Sequence, residues 1–278
     1  MSDGPALVYL YDGSLEGFLC CAWRALAHGE KPAELLLAAE APLTLFEARE
    51  IKTEGETARR MQDAIRAQMG EAALALVKRS FLSCLPRREL RILDFLFFGQ
   101  SAGKRAVGMS THPAVEPLIK AVRHLQNEAE AFRGFVRFSE LGGALVAVIE
   151  PKNQVLPLIC GHFCRRFPEE VLVIYDKTHH SVLLCDRGKA HFGYLEEFIP
   201  AEPERRERKY RALSQSFYEA ISIRQRVNPR CRMSHMPKRY WQQLTEFWER
   251  EQYVPGEEAA LPEDLALRRL SEAGPEAP

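Results

Sequence analysis

The chain has no surplus of charge of either sign. Its 38 Lys and Arg balance 38 Asp and Glu over 278 residues, so net charge names no partner. Long hydrophobic runs are missing as well. The most apolar stretches, ILDFLFF and ALVAVI, are far too short to span a bilayer. The opening MSDGP has neither the basic start nor the apolar run of a secretory signal. These absences predict a cytoplasmic protein that does not engage a membrane. Catalytic signatures are absent too. No GxSxG or HExxH occurs, and SAGKRAVG (101–108) lacks the GKS or GKT ending of a phosphate loop. It reads as a plain loop. The seven cysteines are odd in number and follow no framework spacing, with Cys20 and Cys21 adjacent. Reduced thiols are the expectation. Cys160-Gly-His-Phe-Cys164 has the wrong spacing for a zinc knuckle and no second ligand pair. Its cysteines read as small core residues, and neither a metal nor a cofactor is implied.

What is present fits an ordinary globular composition, with 46% apolar and 27% charged residues. ALVYLYD (6–12) reads as a buried strand that ends at Asp12-Gly13-Ser14. Leu15, Phe18, Leu19, Ala22 and Leu26 then recur at helical spacing up to Gly29. Residues 31–53 are ambiguous, with short strand-like pieces. Further helical patterns cover 56–84 with a break at Gly70, the segment after Pro86, and the segment after His112-Pro113. At Gly134 the character changes. FVRF, ALVAVIE, VLVIYD, SVLLCD and AHFGYL are short and rich in β-branched or aromatic residues. LPLICGHFCRRF between the second and third reads as a short helix, and KTHH (177–180) as a hairpin turn. The expected fold is α+β, a mainly antiparallel sheet packed against several helices. One domain is expected over 1–250, helical to about 133, sheet-rich over 134–200, and basic and helical over 201–250. Tyr210, Leu213, Phe217 and Ile221 would face inward there. Residues 251–278 read as a partly mobile tail.

Charge is unevenly distributed. Between Arg205 and Arg239 there are 11 basic and 2 acidic residues, 11 − 2 = +9, which leaves 27 − 36 = −9 for the rest. NPRCRMSHMPKRYWQQL (228–244) holds no acid at all. Arg224, Arg226, Arg230, Arg232, Lys238 and Arg239 suit phosphate oxygens. Asn228 suits a base or a phosphate. Tyr240 and Trp241 suit stacking on an unpaired base, at about 1–3 kcal/mol per base. The competing reading makes Tyr240, Leu244 and Trp248 the packed stripe of a helix over 238–247. Asp12 and Asp176, at strand ends, and His162 are the catalytic candidates. Their better-supported alternatives are a helix cap, a turn residue and a polar surface group.

Read in order, YDGSLEGFL, GFVRFSELGG, IEP, LPL, HF, RRFP, VIYD, RVNPR and MPKRYWQQL resemble a bacterial family assigned to DNA metabolism or repair. The resemblance runs from about Tyr9 to Trp248. Members are typically encoded beside a DNA-repair radical-SAM protein, and the domain is similar to a segment fused ahead of some uracil-DNA glycosylase-like domains. This sequence has no CxxxCxxC cluster motif, so the resemblance implies the stand-alone partner. It transfers no activity and no catalytic residues. The matching positions it points to are Asp12, Glu16, Arg137, Glu140, His162, Arg166, Asp176, Asn228, Pro237, Lys238, Arg239, Tyr240 and Trp241. The run Arg224-Gln225-Arg226-Val227 departs from the expected pattern and leaves the contacts of that segment open.

Three functions follow as expectations. The first is a DNA-binding accessory protein of DNA repair that acts with a radical-SAM partner. The second is a hydrolase or lesion glycosylase on nucleic acid or nucleotides. It would use a pocket in which Asp12 or Asp176 joins Glu16, Arg137, Glu140, Arg166 or His162. The third is a scaffold that binds only the radical-SAM protein.

Overall fold

A computed structural model gives the fold and describes residues 7–40, 47–198, 205–221, 230, 233 and 236–244. The chain divides into two compact units, Met1–Ala201 and Glu202–Pro278.

The first unit opens with β1 (Leu7–Tyr11) and α1 (Leu15–His28). Ser14 caps α1, since its side chain accepts from the Gly17 amide. Gly29 ends it with φ 66°, a left-handed conformation that costs glycine nothing. The ambiguous segment holds β2 (Glu34–Leu37) and β3 (Glu47–Glu50). Both flank β1 in parallel, giving a sheet of order β2-β1-β3. Four helices follow: α2 (Gly55–Met69), α3 (Glu71–Phe81), α4 (Arg88–Ala102) and α5 (Glu116–Phe135). The expected break at Gly70 separates α2 from α3. SAGKRAVG is not a plain loop. Its start completes α4, and Gly103–Gly108 forms a 3₁₀ helix that buries Ala106. Tyr9, Phe18, Leu19, Leu74, Phe95 and Leu118 anchor the core between this sheet and these helices.

The second sheet comprises β4 (Ser139–Leu141), β5 (Ala144–Ile149), β6 (Leu172–Asp176), β7 (Ser181–Asp186) and β8 (Lys189–Tyr194), adjacent in that order. Helix α6 (Leu156–Arg166) joins β5 to β6, which therefore run parallel. The other pairs are antiparallel. The fold is mixed α+β, and its five-stranded sheet is mostly antiparallel. FVRF is not a strand, because Phe135 closes α5 and pairing begins at Ser139. Ile149, Ile159, Phe163, Leu172, Ile174 and Leu183 are buried on and beneath this sheet.

The thiols are not all reduced. Cys164 on α6 is disulfide-bonded to Cys185 on β7. Spacing could not show this pair, because 21 residues and a whole strand separate the two positions. Cys20 and Cys21 are buried as free thiols. Burial pushes the Cys21 thiol up to about 12.

In the second unit α7 spans Arg205–Ile221, and Lys238–Gln243 forms a 3₁₀ turn rather than the longer helix expected. Tyr210, Leu213 and Phe217 are exposed, at 50%, 42% and 66%, while Ala212 and Gln215 are buried. The apolar stripe of α7 thus lies outward, opposite to the sequence reading. No helix among the described residues is long and apolar enough to cross a membrane.

Candidate functional site

Three places in the first unit gather chemistry, and they are separate. The most strongly charged lies at the carboxyl ends of α5 and α6. His162, half-buried on α6, has its proton affinity lowered, first by burial and then by the positive charges of Arg133, Arg166 and Arg165. Arg133 on α5 reaches across and donates to the Leu158 carbonyl at 2.6 Å, which ties the two helices together, and it also pairs with Glu130. Arg165 and Arg166 are exposed, and Arg166 stands 5.7 Å above the Phe167 ring. Helix C-termini favour cations through the backbone dipole. These arginines therefore present a fixed positive surface of the kind that accepts phosphate oxygens. Arg137, also exposed, turns back to donate to the Gly134 carbonyl at 2.9 Å.

The second place is the β6–β7 hairpin. Asp176 is fully buried. Its Oδ1 accepts from the Thr178 and His179 amides at 3.0 and 3.1 Å, the pattern of an Asx turn. Its Oδ2 lies 2.7 Å from His179 Nδ1. A carboxylate on Nδ1 fixes the ring so that Nε2 is the free acceptor, the half-triad arrangement of a general base. Beside it Lys177 bridges to Glu150 at 3.1 Å. The sequence reading treated His179 as a turn residue alone. The legible signal was a histidine three residues beyond a strand-end aspartate.

The third place is the carboxyl edge of the parallel sheet. A cavity of about 240 Å³ opens there between Tyr11, Asp12, Glu50, Lys52 and Thr53. Asp12 does not cap α1 itself. It accepts from the amide and hydroxyl of Ser14, at 2.9 and 2.7 Å, and from the Thr53 hydroxyl at 2.8 Å. Burial pushes its carboxyl up, but these hydrogen bonds outweigh burial and hold it below its ordinary value. Gly17 makes room for the cluster: a Cβ there would stand 2.2 Å from Asp12 Oδ1 and 2.7 Å from Thr53 Oγ1. Glu16 occupies the first turn of the same helix, and Glu140 lies on β4. A separate cavity of about 210 Å³, lined by Trp23, Met61, Ile65, Met69 and Leu96, has no charged group in its wall.

Among the described residues neither Asp12 nor Asp176 makes a hydrogen bond or ion pair with Arg137, Arg166 or His162. Topology explains the separation from Asp176. Helix α6 runs back toward the start of β6, which carries His162, Arg165 and Arg166 away from the strand's carboxyl end. No group of three or more His, Cys, Asp or Glu suited to a metal occurs among the described residues.

In the second unit Lys238 and Arg239 are exposed, as is Arg230, while Arg224, Arg226, Asn228 and Arg232 lie outside the described residues. Tyr240 and Leu244 are buried, at 2% and 0% exposure, as the packed-stripe reading expects. The Tyr240 ring, with the Arg239 guanidinium 4.6 Å from its centre, is therefore not open to a base. Trp241 is half-buried. Its indole N–H donates to the Met236 carbonyl at 2.9 Å, and Lys238 Nζ stands 5.8 Å from its ring centre. On α7, Arg208 and Lys209 are exposed, whereas Arg211 is half-buried and pairs with Glu207 at 2.8 Å.

Residues 86–246, more than half of the chain, match a family described as "Domain of unknown function (DUF4130)". That segment contains the arginine cluster, the Asp176–His179 pair and the basic turn, but not the Asp12 cleft. No curated protein matches the chain.

Proposed function

The chain belongs to the family of the DUF4130 domain, whose function is unknown, and from that premise we propose that it is a DNA-binding accessory protein of DNA repair that works beside a radical-SAM partner. One observation carries the binding part. Arg133, Arg166 and Arg165 gather about His162 and add to the burial that lowers its proton affinity, within the residues that match the family. Positive charge gathered in this way attracts phosphate as it repels a proton. The exposed cations of the second unit, Arg208, Lys209, Arg230, Lys238 and Arg239, add to the positive charge available. The repair context and the partner rest on the sequence resemblance.

Fluorescence anisotropy on single-stranded and duplex DNA across a salt series tests the proposal. Affinity is expected to fall steeply with salt. Arg165→Ala/Arg166→Ala and Lys238→Ala/Arg239→Ala are each expected to flatten the log–log slope by up to about 2, since each phosphate contact contributes roughly 0.9. Wild-type slopes in both double variants would overturn it.

The Asp176–His179 pair favours a second reading, a hydrolase acting on nucleic acid or nucleotides, with His179 as general base. On that reading His179→Gln abolishes turnover. Asp176→Asn lowers it by orders of magnitude, because the ring loses its fixed tautomer.

A further inference from the structure

Strand β8 has a neighbour on one side only among the described residues, β7. It is also open to solvent: Lys189, Ala190, His191, Phe192 and Tyr194 are all exposed, Phe192 at 55% and Tyr194 at 88%. A bare edge strand carrying large aromatic side chains is a template for another strand, and native proteins usually protect such an edge. The charges flanking it are arranged by sign. Arg187 and Lys189 stand at its start, Glu196 and Glu197 just past its end, and the segment between them holds no Asp, Glu, Lys or Arg. Set beside an antiparallel copy of itself, such a strand brings each basic end against an acidic end. Nucleic acid would meet the two glutamates unfavourably.

The hydrogen-bond pattern sets the register. The Leu195 amide donates to the His180 carbonyl at 2.9 Å and continues the β7–β8 ladder. Bonded and non-bonded pairs alternate in an antiparallel ladder. Lys189, His191 and Gly193 therefore turn their backbone groups toward β7. Those of Ala190, Phe192 and Tyr194 point outward and are free to pair. Because side chains alternate between faces, a strand can meet its own copy across a two-fold axis only with a residue, not a peptide bond, on the axis.

We infer that β8 is a self-association edge, at which two copies of the chain pair their β8 strands antiparallel about Gly193 to form one continuous sheet. In this register Phe192 of one copy lies opposite Tyr194 of the other, and the two exchange backbone hydrogen bonds. The ladder itself stops near Leu195, because the chain bends at Glu196 and turns that carbonyl to His180. Beyond it, Glu196 and Glu197 of one copy approach the basic start of the other, twice by symmetry. Gly193, the smallest residue, sits where the two strands cross the axis. Cross-strand aromatic and opposite-charge pairs are the stabilising units of such a ladder.

Sedimentation velocity of the full chain over a concentration series tests this, with three variants beside the wild type. The wild type is expected to dimerise. Lys189→Glu and Glu197→Lys are each expected to weaken the dimer by roughly tenfold or more, because each brings like charges together at both ends of the paired segment. The double variant Lys189→Glu/Glu197→Lys restores opposite charges and is expected to recover the dimer. Both positions are exposed, so the fold is not at stake. A wild type that stays monomeric to high micromolar concentration would overturn the inference. So would a dimer indifferent to the single reversals, or one that the double reversal fails to recover. None of these outcomes bears on the DNA proposal, which is read out by a different assay on different residues.

Discussion

His162 reports on its surroundings more directly than any other residue of the chain. Burial and three guanidinium groups hold its imidazole below the ordinary value of 6.5. The folded state therefore binds the proton less readily than the unfolded chain. The stability this histidine contributes is complete above the unfolded value and is lost as pH falls through the lower folded one. Removing charge must raise the folded value. In an NMR titration Arg165→Ala/Arg166→Ala is expected to move the His162 midpoint up, and a saturating short DNA should move the wild-type midpoint the same way. A midpoint indifferent to both would mean that burial and Arg133 set it and that no phosphate approaches. At this scale the sequence was legible where chemistry is local: His162 beside Arg165 and Arg166, or Asp12 beside Ser14. It was not legible where a partner arrives from elsewhere in the chain. Thr53 comes to Asp12 from 41 residues away, and Arg133 comes to α6 from another helix. Tyr240 shows the remaining difficulty, since an aromatic beside two cations reads equally well as a base platform or as core. The structure buries it.

Among the elements, the β5-α6-β6 crossover and the hairpin behind it lie within the residues that match the family. Period and composition revealed β5, β6, β7 and β8, because β-branched runs bounded by turn residues are local signals. The parallel pairing of β5 with β6 was not visible, since it depends on how a crossover closes in space. The parallel sheet of β1, β2 and β3 was missed for a related reason. Glu34–Leu37 and Glu47–Glu50 are short, carry glutamates and show little alternation. The Cys164–Cys185 bond pins α6 to β7, and it encloses β6 and its Asp176 turn in the closed loop. Cross-linking residues 21 apart removes chain entropy from the unfolded state, worth about 3 kcal/mol in the loop-closure account. Cys164→Ala/Cys185→Ala, or the wild type in excess dithiothreitol, is expected to unfold at clearly lower urea concentration than the oxidised protein. The β6–β7 ladder should keep the native fold in both, as seen by circular dichroism. Equal midpoints with and without reductant would show that the bond does not form in solution.

Viewed whole, the molecule separates its charge along the chain. The surplus of +9 between Arg205 and Arg239 lies in the second unit, and so does most of its compensation: the rest of that unit holds 3 basic and 11 acidic residues, 3 − 11 = −8, while the first unit is nearly neutral at 24 − 25 = −1. Net neutrality thus conceals a basic segment and an acidic one within the second unit, which composition alone could not reveal. The first unit closes both sheets and the helical core within Met1–Ala201, and its hydrophobic cluster draws on α1 to α5, with no residue of α7 among the described residues. By that measure it holds what a domain needs to fold alone. A fragment ending at Ala201 is therefore expected to keep its far-ultraviolet spectrum and a single cooperative urea transition. It also separates the two positive surfaces for a binding experiment. If the arginines around His162 are the primary phosphate contact, the fragment retains salt-dependent DNA affinity, reduced in slope by the contacts of the second unit. If DNA affinity vanishes while the fragment stays folded, the basic segment after Arg205 is the grip, and the His162 cluster serves another anion. A fragment without cooperative unfolding would instead show that the first unit draws part of its stability from the residues beyond it. The division of the chain would then be one of geometry and not of folding.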